Sequence, residues 1–296
     1  MINNFRQAVK EKNFLITAEV CPPKGGNPAR MLKMAECLKG RVHAVNITDG
    51  SRAVLRMSSL AASVILLKNG IEPICQMACR DRNAIGLQAD LMGAYALGIR
   101  NILALTGDPM KAGDHKKGRS VFELESVRLL KVIDKLNQGF DLNNQPLPDE
   151  ALDLFPGAAV DPQSESWSGL KTRFERKLAA GAQFFQSQLI TDFDRLDKFM
   201  HQIASATDKP VLAGIFLLKS AKNAIFIKRN VPGVHIPDEI IKRLGEASDP
   251  LLEGVKIAAE QVKMAQQLCH GVHLMAIKRE DLIPQILEQA GIAPIE

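Results

Sequence analysis

Short apolar runs recur along this chain, separated by longer stretches in which apolar residues return every three or four positions. Eight runs, at residues 14–20, 42–48, 72–78, 101–107, 154–160, 184–190, 210–216 and 271–277, are rich in Val, Ile, Leu, Ala and Phe and carry few charges. Runs that are apolar on both faces suit parallel strands buried beneath helices. The intervening stretches, such as residues 30–38 and 173–178, mix apolar and charged residues at helical spacing. Eight β-α units in 296 residues predict an α/β fold, a (β/α)8 TIM barrel forming a single domain over residues 1–296. A doubly wound sheet is the competing arrangement. It would be expected to carry a G-x-G-x-x-G turn after an early strand, and no such run occurs.

Two stretches interrupt the rhythm. Residues 111–119 form a polar loop after the fourth strand, on the face where such barrels keep their chemistry. Residues 139–153, with Pro146 and Pro148, form a turn-rich excursion before the fifth strand, on the opposite face, and read as a structural insertion.

Composition narrows the function classes. Hydrophobic residues make up 46% of the chain, enough for one large core. The net charge of +5 is spread over helical faces and aromatics are only 5%, so nucleic-acid binding has no support. The apolar runs are too short to cross a bilayer, and the N-terminus lacks the apolar core of a secretory signal, so a cytoplasmic location is expected. The five cysteines, Cys21, Cys37, Cys75, Cys79 and Cys269, contain no C-x-x-C pair and no His at zinc-ligand spacing. No metal site is expected from them, and Cys75 and Cys79, on one face of a strand, read as core.

In a barrel the C-terminal strand ends converge on one mouth. Those ends supply Glu19, Thr48, Asp49, Ser51, Arg52, Arg80, Asp81, Arg82, Thr106, Asp108, Asp161, Gln188, Thr191, Asp192, Lys278 and Arg279. Asp108, closing an apolar run at Gly-Asp-Pro, is a carboxylate held by a rigid element and facing a mouth. Helix caps and turns are the ordinary reading for Asp49, Asp81, Asp161 and Asp192. Glu19 and Gln188 resist that reading because they lie inside apolar strands, where an unpaired polar group is costly. A carboxyl such as Glu19 in a partly apolar site can hold a proton near neutrality and serve as a general acid. An ion pair with a neighbouring Arg is the structural alternative.

Five segments, taken in order, carry a family resemblance: Thr17-Ala18-Glu19-Val20-Cys21-Pro22-Pro23-Lys24-Gly25, Val45-Asn46-Ile47-Thr48-Asp49-Gly50-Ser51, Cys79-Arg80-Asp81-Arg82-Asn83, Leu105-Thr106-Gly107-Asp108-Pro109 and Gly181-Ala182-Gln183-Phe184-Phe185-Gln186-Ser187-Gln188. With them the chain strongly resembles the flavin-dependent methylenetetrahydrofolate reductases, whose fold is a (β/α)8 barrel. The resemblance implies ping-pong reduction of 5,10-methylenetetrahydrofolate to 5-methyltetrahydrofolate through a bound flavin, FAD rather than FMN, feeding methionine synthesis and one-carbon metabolism. It implies Glu19 as the acid that protonates N10, and Asp108 beside the flavin and the pterin. Gln188 would bind the pterin edge and Arg279 would face the folate tail. Thr48, Thr106, Phe122, Arg176 and Lys177 fall at flavin-contacting positions, the last two suited to the diphosphate. A homo-oligomer is implied, and no domain binding S-adenosylmethionine is expected.

Two departures qualify the transfer. Where several bacterial members carry Pro-Val-Ser-Asn-Phe, this chain has Leu217-Leu218-Lys219-Ser220-Ala221, leaving NADH, NADPH and reduced ferredoxin delivered as a protein partner all open as donors. Thr106 stands where some relatives carry Arg. Flavin-free relatives that use a nicotinamide directly are the alternative.

Overall fold

All eight apolar runs form strands in the computed structural model, which describes residues 4–295 other than 150 and 232. They are β1 (Leu15–Val20), β2 (Ala44–Ile47), β3 (Pro73–Ala78), β4 (Asn101–Leu105), β5 (Phe155–Val160), β6 (Phe184–Leu189), β7 (Val211–Phe216) and β8 (Gly271–Met275). Each pairs in parallel with the next, and β8 returns to β1, so the expected barrel closes. The helices are α1 (Asn4–Lys10), α2 (Ala29–Glu36), α3 (Ser59–Lys68), α4 (Ala84–Ala96), α5 (Ser126–Asn137) and α6 (Trp167–Ala179), then α7 (Phe193–Gln202), α8 (Ala221–Asn230), α9 (Asp238–Glu246), α10 (Pro250–Leu268) and α11 (Ile283–Gln289). Among the described residues, no helix is long and apolar enough to cross a membrane.

Alternation along each strand divides the side chains between two cores. Those facing outward, among them Ile102, Phe185 and Val272, pack beneath helical residues such as Leu66, Leu91, Ile133, Phe174 and Val262. Cys75 and Cys79 belong to this layer, where burial pushes their thiols up to about 11 and about 12. At the N-terminal end of the barrel, the inward residues Leu15, Ala44, Ile74, Leu103, Phe155, Phe184 and Leu212 meet Phe5 and Ala8 of α1, which plugs the opening. The Phe5 and Phe184 rings meet edge-on at 5.0 Å, and Phe155 stacks on Phe184 at 5.6 Å. Gly157 makes room for this: a Cβ there would come within 2.2 Å of the Phe184 ring. The plug is anchored by Glu72, whose carboxylate accepts the Asn4 and Phe5 N–H groups opening α1 and the Asn101 amide at 2.7 Å.

The excursion at 139–153, of which residue 150 lies outside the described residues, leaves α5 on the plugged side. It turns back through Leu147 N–H to the Gly139 carbonyl at 2.8 Å, and Leu142, Leu147 and Leu152 pack on the outer core. The connection from β7 to β8 is longer than the alternating pattern required. It holds α8 and α9 as well as α10, and these enclose a small core of Leu218, Ala224, Ile227, Ile236, Leu244 and Ile257 beside the mouth.

Candidate active site

Above the plug, the inward positions turn polar. Gln186 on β6 donates its amide to Thr17 Oγ1 on β1 at 3.1 Å, and because these strands are not neighbours the bond crosses the barrel interior. Thr17 Oγ1 lies 3.0 Å from His273 Nδ1, and Asn46 Nδ2 lies 3.4 Å from the same nitrogen. Thr17 and Asn46 thus hold the Nδ1 edge of the imidazole. Nε2 faces Glu19 Oε2 at 3.9 Å, with the Glu19 side chain 15% exposed and that of His273 5%. Glu19 therefore sits at the top of a buried column with the Nε2 edge of a held imidazole turned toward it. Asn46 Oδ1 and Gln186 Oε1 are buried with no hydrogen-bond partner among the described residues, which leaves two free acceptors inside the barrel.

The loops after β2, β3 and β4 lock one another. Asp49 accepts the Ala78 N–H at 2.8 Å and pairs with Arg82 at 2.7 Å. The buried Arg80 pairs with Asp81 at 2.7 Å and donates to the Gly50 carbonyl at 3.0 Å. These four charged residues hold the rim together, and Asp192 caps α7 by accepting the Arg195 N–H at 2.9 Å. Asp108 is exposed at the mouth, and one of its oxygens accepts the Arg52 N–H at 2.7 Å. That N–H is presented by a left-handed turn in which Gly50, Arg52 and Ala53 have φ of 56°, 57° and 53°. Asp114 joins two more loops, pairing with Lys24 at 2.6 Å and accepting the Leu55 N–H at 3.0 Å. The Lys24 ammonium, with help from His115 and that N–H, holds the Asp114 carboxyl well below the usual carboxylate range.

The remaining predicted positions are spread around this rim. Between β5 and α6 a cavity of about 170 Å³ is lined by Asp161, Leu170, Arg173, Phe174, Lys177 and Gln188, among others. The Lys177 amine is drawn inward, donating to the Ala159 carbonyl at 2.6 Å, and burial lowers its pKa. Burial likewise raises the Asp161 carboxyl. Arg176, one residue away on α6, does not line the cavity. It is 61% exposed and lies 3.9 Å from Glu125. Thr48 is buried, Thr106 accepts the Ser126 N–H at the start of α5, and Phe122 is exposed at the rim with φ of 43°. Arg279 follows β8 and is tied to Asp281 at 3.0 Å. The structure thus brings Gln188 and Lys177 to one cavity, while Glu19 stands on the His273 column and Asp108 on the Arg52 turn.

Sequence reasoning passed over His273, Asn46, Thr17 and Gln186 as functional residues. The signal was present in two strands: Thr17 and Glu19, and Asn46 and Thr48, are polar residues two apart in otherwise apolar runs, the spacing that marks an inward face, whereas a register shift separates Gln186 from Gln188.

Fold and site together define a (β/α)8-barrel protein whose polar and charged side chains gather at the C-terminal mouth. Residues 4–291 match the family model described as Methylenetetrahydrofolate reductase, and the chain belongs to that family. It is 25% identical over 262 residues to Methylenetetrahydrofolate reductase 1 of Schizosaccharomyces pombe, covering 86% of this chain and 41% of the relative. The match to Probable methylenetetrahydrofolate reductase (NADPH) of Caenorhabditis elegans is 24% over 306 residues, covering 97% and 44%. For 5,10-methylenetetrahydrofolate reductase of Escherichia coli it is 24% over 233 residues, covering 77% and 73%. The chain thus spans less than half the length of the two eukaryotic relatives. Among solved structures, tryptophan synthase from M. tuberculosis superposes with a TM-score of 0.55 at 10% identity, over 98% of this chain and 97% of that one. DmoA from Hyphomicrobium sulfonivorans gives 0.55 at 10% identity, over 95% and 89%. These two likenesses concern the fold alone.

Proposed function

We propose that this chain reduces 5,10-methylenetetrahydrofolate to 5-methyltetrahydrofolate with a bound flavin, FAD in preference to FMN, making the methyl group used in methionine synthesis. The observation that carries this reading is Glu19 at the mouth above a histidine whose Nε2 faces it at 3.9 Å. Ring opening in the folate needs a proton at N10, and Glu19 is the carboxyl placed to deliver it. The His273 imidazole would stand beside the carboxylate left behind, and Thr17 and Asn46 keep the ring from turning. Asp108 supplies a counter-charge to the electron-poor iminium at N5 of the opened folate, with one oxygen engaged by the Arg52 N–H. Gln188 binds the pterin edge, and Arg279 meets the anionic tail at the expense of its bond to Asp281.

The residues present suit a flavin. Arg173 and Lys177 line the cavity between β5 and α6 together with Asp161, whose charge burial disfavours, and the two cations would meet the charge of a diphosphate. Thr48, Thr106, Phe122 and Arg176 complete the proposed contacts around the mouth. A bound flavin supplies the hydride that reaches the methylene carbon.

Two donors fit different observations. NADPH fits the name that the C. elegans relative carries. A reduced ferredoxin-like acidic protein fits the exposed Lys116, Lys117 and Arg119, and the absence of an aromatic stacking surface at Ala221. The test is anaerobic turnover of 5,10-methylenetetrahydrofolate by the purified protein with NADH, NADPH and reduced ferredoxin in parallel, with flavin absorbance recorded. Yellow protein that forms 5-methyltetrahydrofolate supports the reading. Colourless protein active with a nicotinamide alone removes the flavin, and no product with any donor removes the reaction.

A further inference from the structure

Strand β6 does not run evenly beside β7. The register pairs Phe185 with Val211 and Gln186 with Leu212, then Leu189 with Gly214, so Ser187 and Gln188 share the place opposite Ala213. This is a bulge, and a bulge leaves backbone groups without their ladder partners. The Ser187 side chain takes them over. The Gly214 N–H donates to Ser187 Oγ at 2.8 Å, and the Ser187 hydroxyl donates to the Gln188 carbonyl at 2.7 Å. The ladder resumes immediately afterwards, with Ile190 N–H on the Gly214 carbonyl at 2.8 Å.

Gly214 is the other half of the arrangement. A Cβ at this position would lie 2.6 Å from the Gln188 carbonyl oxygen and 2.8 Å from that of Ser187. Both contacts are with backbone, which cannot swing aside as a flexible side chain would. The outcome is an unusual exposure pattern: Gln188 is open to the cavity it shares with Lys177, whereas every other residue of β6 is buried.

We propose that Ser187 and Gly214 are positioning residues for folate recognition: the serine hydroxyl pins the β6 bulge that aims the Gln188 amide into the mouth, and the glycine gives the bulge its room. The inference rests on the preceding reading of Gln188 as the side chain that binds the pterin edge. Ser187, only 6% exposed, acts through its neighbour. Its loss therefore weakens folate binding and leaves delivery of electrons to the protein untouched.

The test compares Ser187→Ala, Ser187→Thr, Gln188→Ala and the Ser187→Ala/Gln188→Ala pair, reading folate KM, kcat and donor-driven flavin reduction. Ser187→Ala should raise the folate KM about tenfold, the worth of one neutral hydrogen bond, with the donor half-reaction unchanged. Ser187→Thr, which keeps the hydroxyl, should restore most of the affinity. In the Gln188→Ala background, Ser187→Ala should add nothing. Equal effects of Ser187→Ala with and without Gln188 overturn the positioning role, as does a silent Ser187→Ala beside an impaired Gln188→Ala. An unchanged KM in Gln188→Ala itself removes the pterin reading first, and this inference with it. Should the alanine variant fail to fold, Ser187→Cys fills the same space with a weaker hydrogen-bonding group and carries the same expectations.

Discussion

Replacing Glu19 with Gln asks one question of the site: whether its carboxyl is needed as a proton donor or as a charge. The amide has nearly the same shape, so packing is preserved. The ionic contact it removes is modest. Glu19 Oε2 stands 3.9 Å from His273 Nε2, beyond hydrogen-bond distance. A full imidazolium–carboxylate pair so spaced would be worth about 4 kcal/mol at an effective dielectric of ~20. That figure is an upper bound, because the contact is ionic only with a doubly protonated imidazole and the Glu19 side chain is 15% open to solvent. Glu19→Gln should therefore fold with a melting temperature close to that of the parent. Catalysis should respond quite differently. Loss of a general acid costs about 10²–10⁴-fold in rate, or about 2.7–5.4 kcal/mol of barrier. The loss should fall on one half-reaction only, because donor-to-flavin transfer requires no proton at folate N10. Anaerobic stopped-flow measurement separates the halves: the rate of flavin reduction by donor should be unchanged, and the rate of flavin reoxidation by 5,10-methylenetetrahydrofolate should collapse. Equal slowing of both steps in a folded variant would falsify the acid assignment and make Glu19 a structural group.

Other positions give independent checks. Asp108→Asn should raise the flavin reduction potential, because a negative charge beside the ring is removed, yet slow folate reduction; an unchanged potential by dye equilibration would separate Asp108 from the ring. Glu72→Ala should strip partners from the Asn4 and Phe5 N–H groups and the Asn101 amide, lowering stability by about 1–3 kcal/mol in urea titration. If α1 serves only as a plug, kcat should be retained in that variant, and a lost kcat with intact stability would refute the assignment. The buried imidazole of His43 accepts the Ile16 N–H group at 3.0 Å, and burial lowers it below the ordinary 6.5. The unfolded chain then binds a proton that the folded chain refuses, so its contribution to stability is present above pH 6.5 and lost as pH falls from there through the lowered folded value. His43→Gln should flatten that acid slope in melting curves, and an unaltered slope would remove His43 from the account.

The barrel was legible because its strands are buried on both faces, and burial of that kind writes apolar runs that need no partner to be recognised. Strand ends were less legible, for local reasons. The fourth run extends to residue 107, yet β4 stops at Leu105, and the chain leaves the extended conformation at Gly107, whose φ is 92°. The mouth carboxylates Glu19 and Asp108 could be found from their positions at strand ends. Their supports could not. Asp108 is held by the main-chain N–H of Arg52, and a backbone donor has no residue type to give it away. His273 is a single polar residue in Gly-Val-His-Leu-Met, and its meaning depends on Thr17, Asn46 and Gln186 from three other strands. The bulge at Gln188 was equally hidden, since Phe-Phe-Gln-Ser-Gln-Leu reads as a regular strand until Gly214 is set beside it.

The distribution of polar groups inside the barrel also explains why so much aromatic surface lies beneath them. A polar layer in a protein interior is costly wherever hydrogen-bonding capacity goes unused, and Asn46 Oδ1 and Gln186 Oε1 are both unused by described residues. Apolar side chains in those places would make a more stable barrel, so their presence is a choice against stability, of the kind that clusters at functional sites. The layer below offsets it. Phe5, Phe155 and Phe184 fill the plugged end with mutually packed rings, and Gly157 surrenders its side chain so that one of them fits. Rigidity below and polarity above then act on the same strands. Because Thr17 and Glu19 are two residues apart on β1, the strand whose hydroxyl meets the imidazole also carries the carboxyl that the imidazole faces.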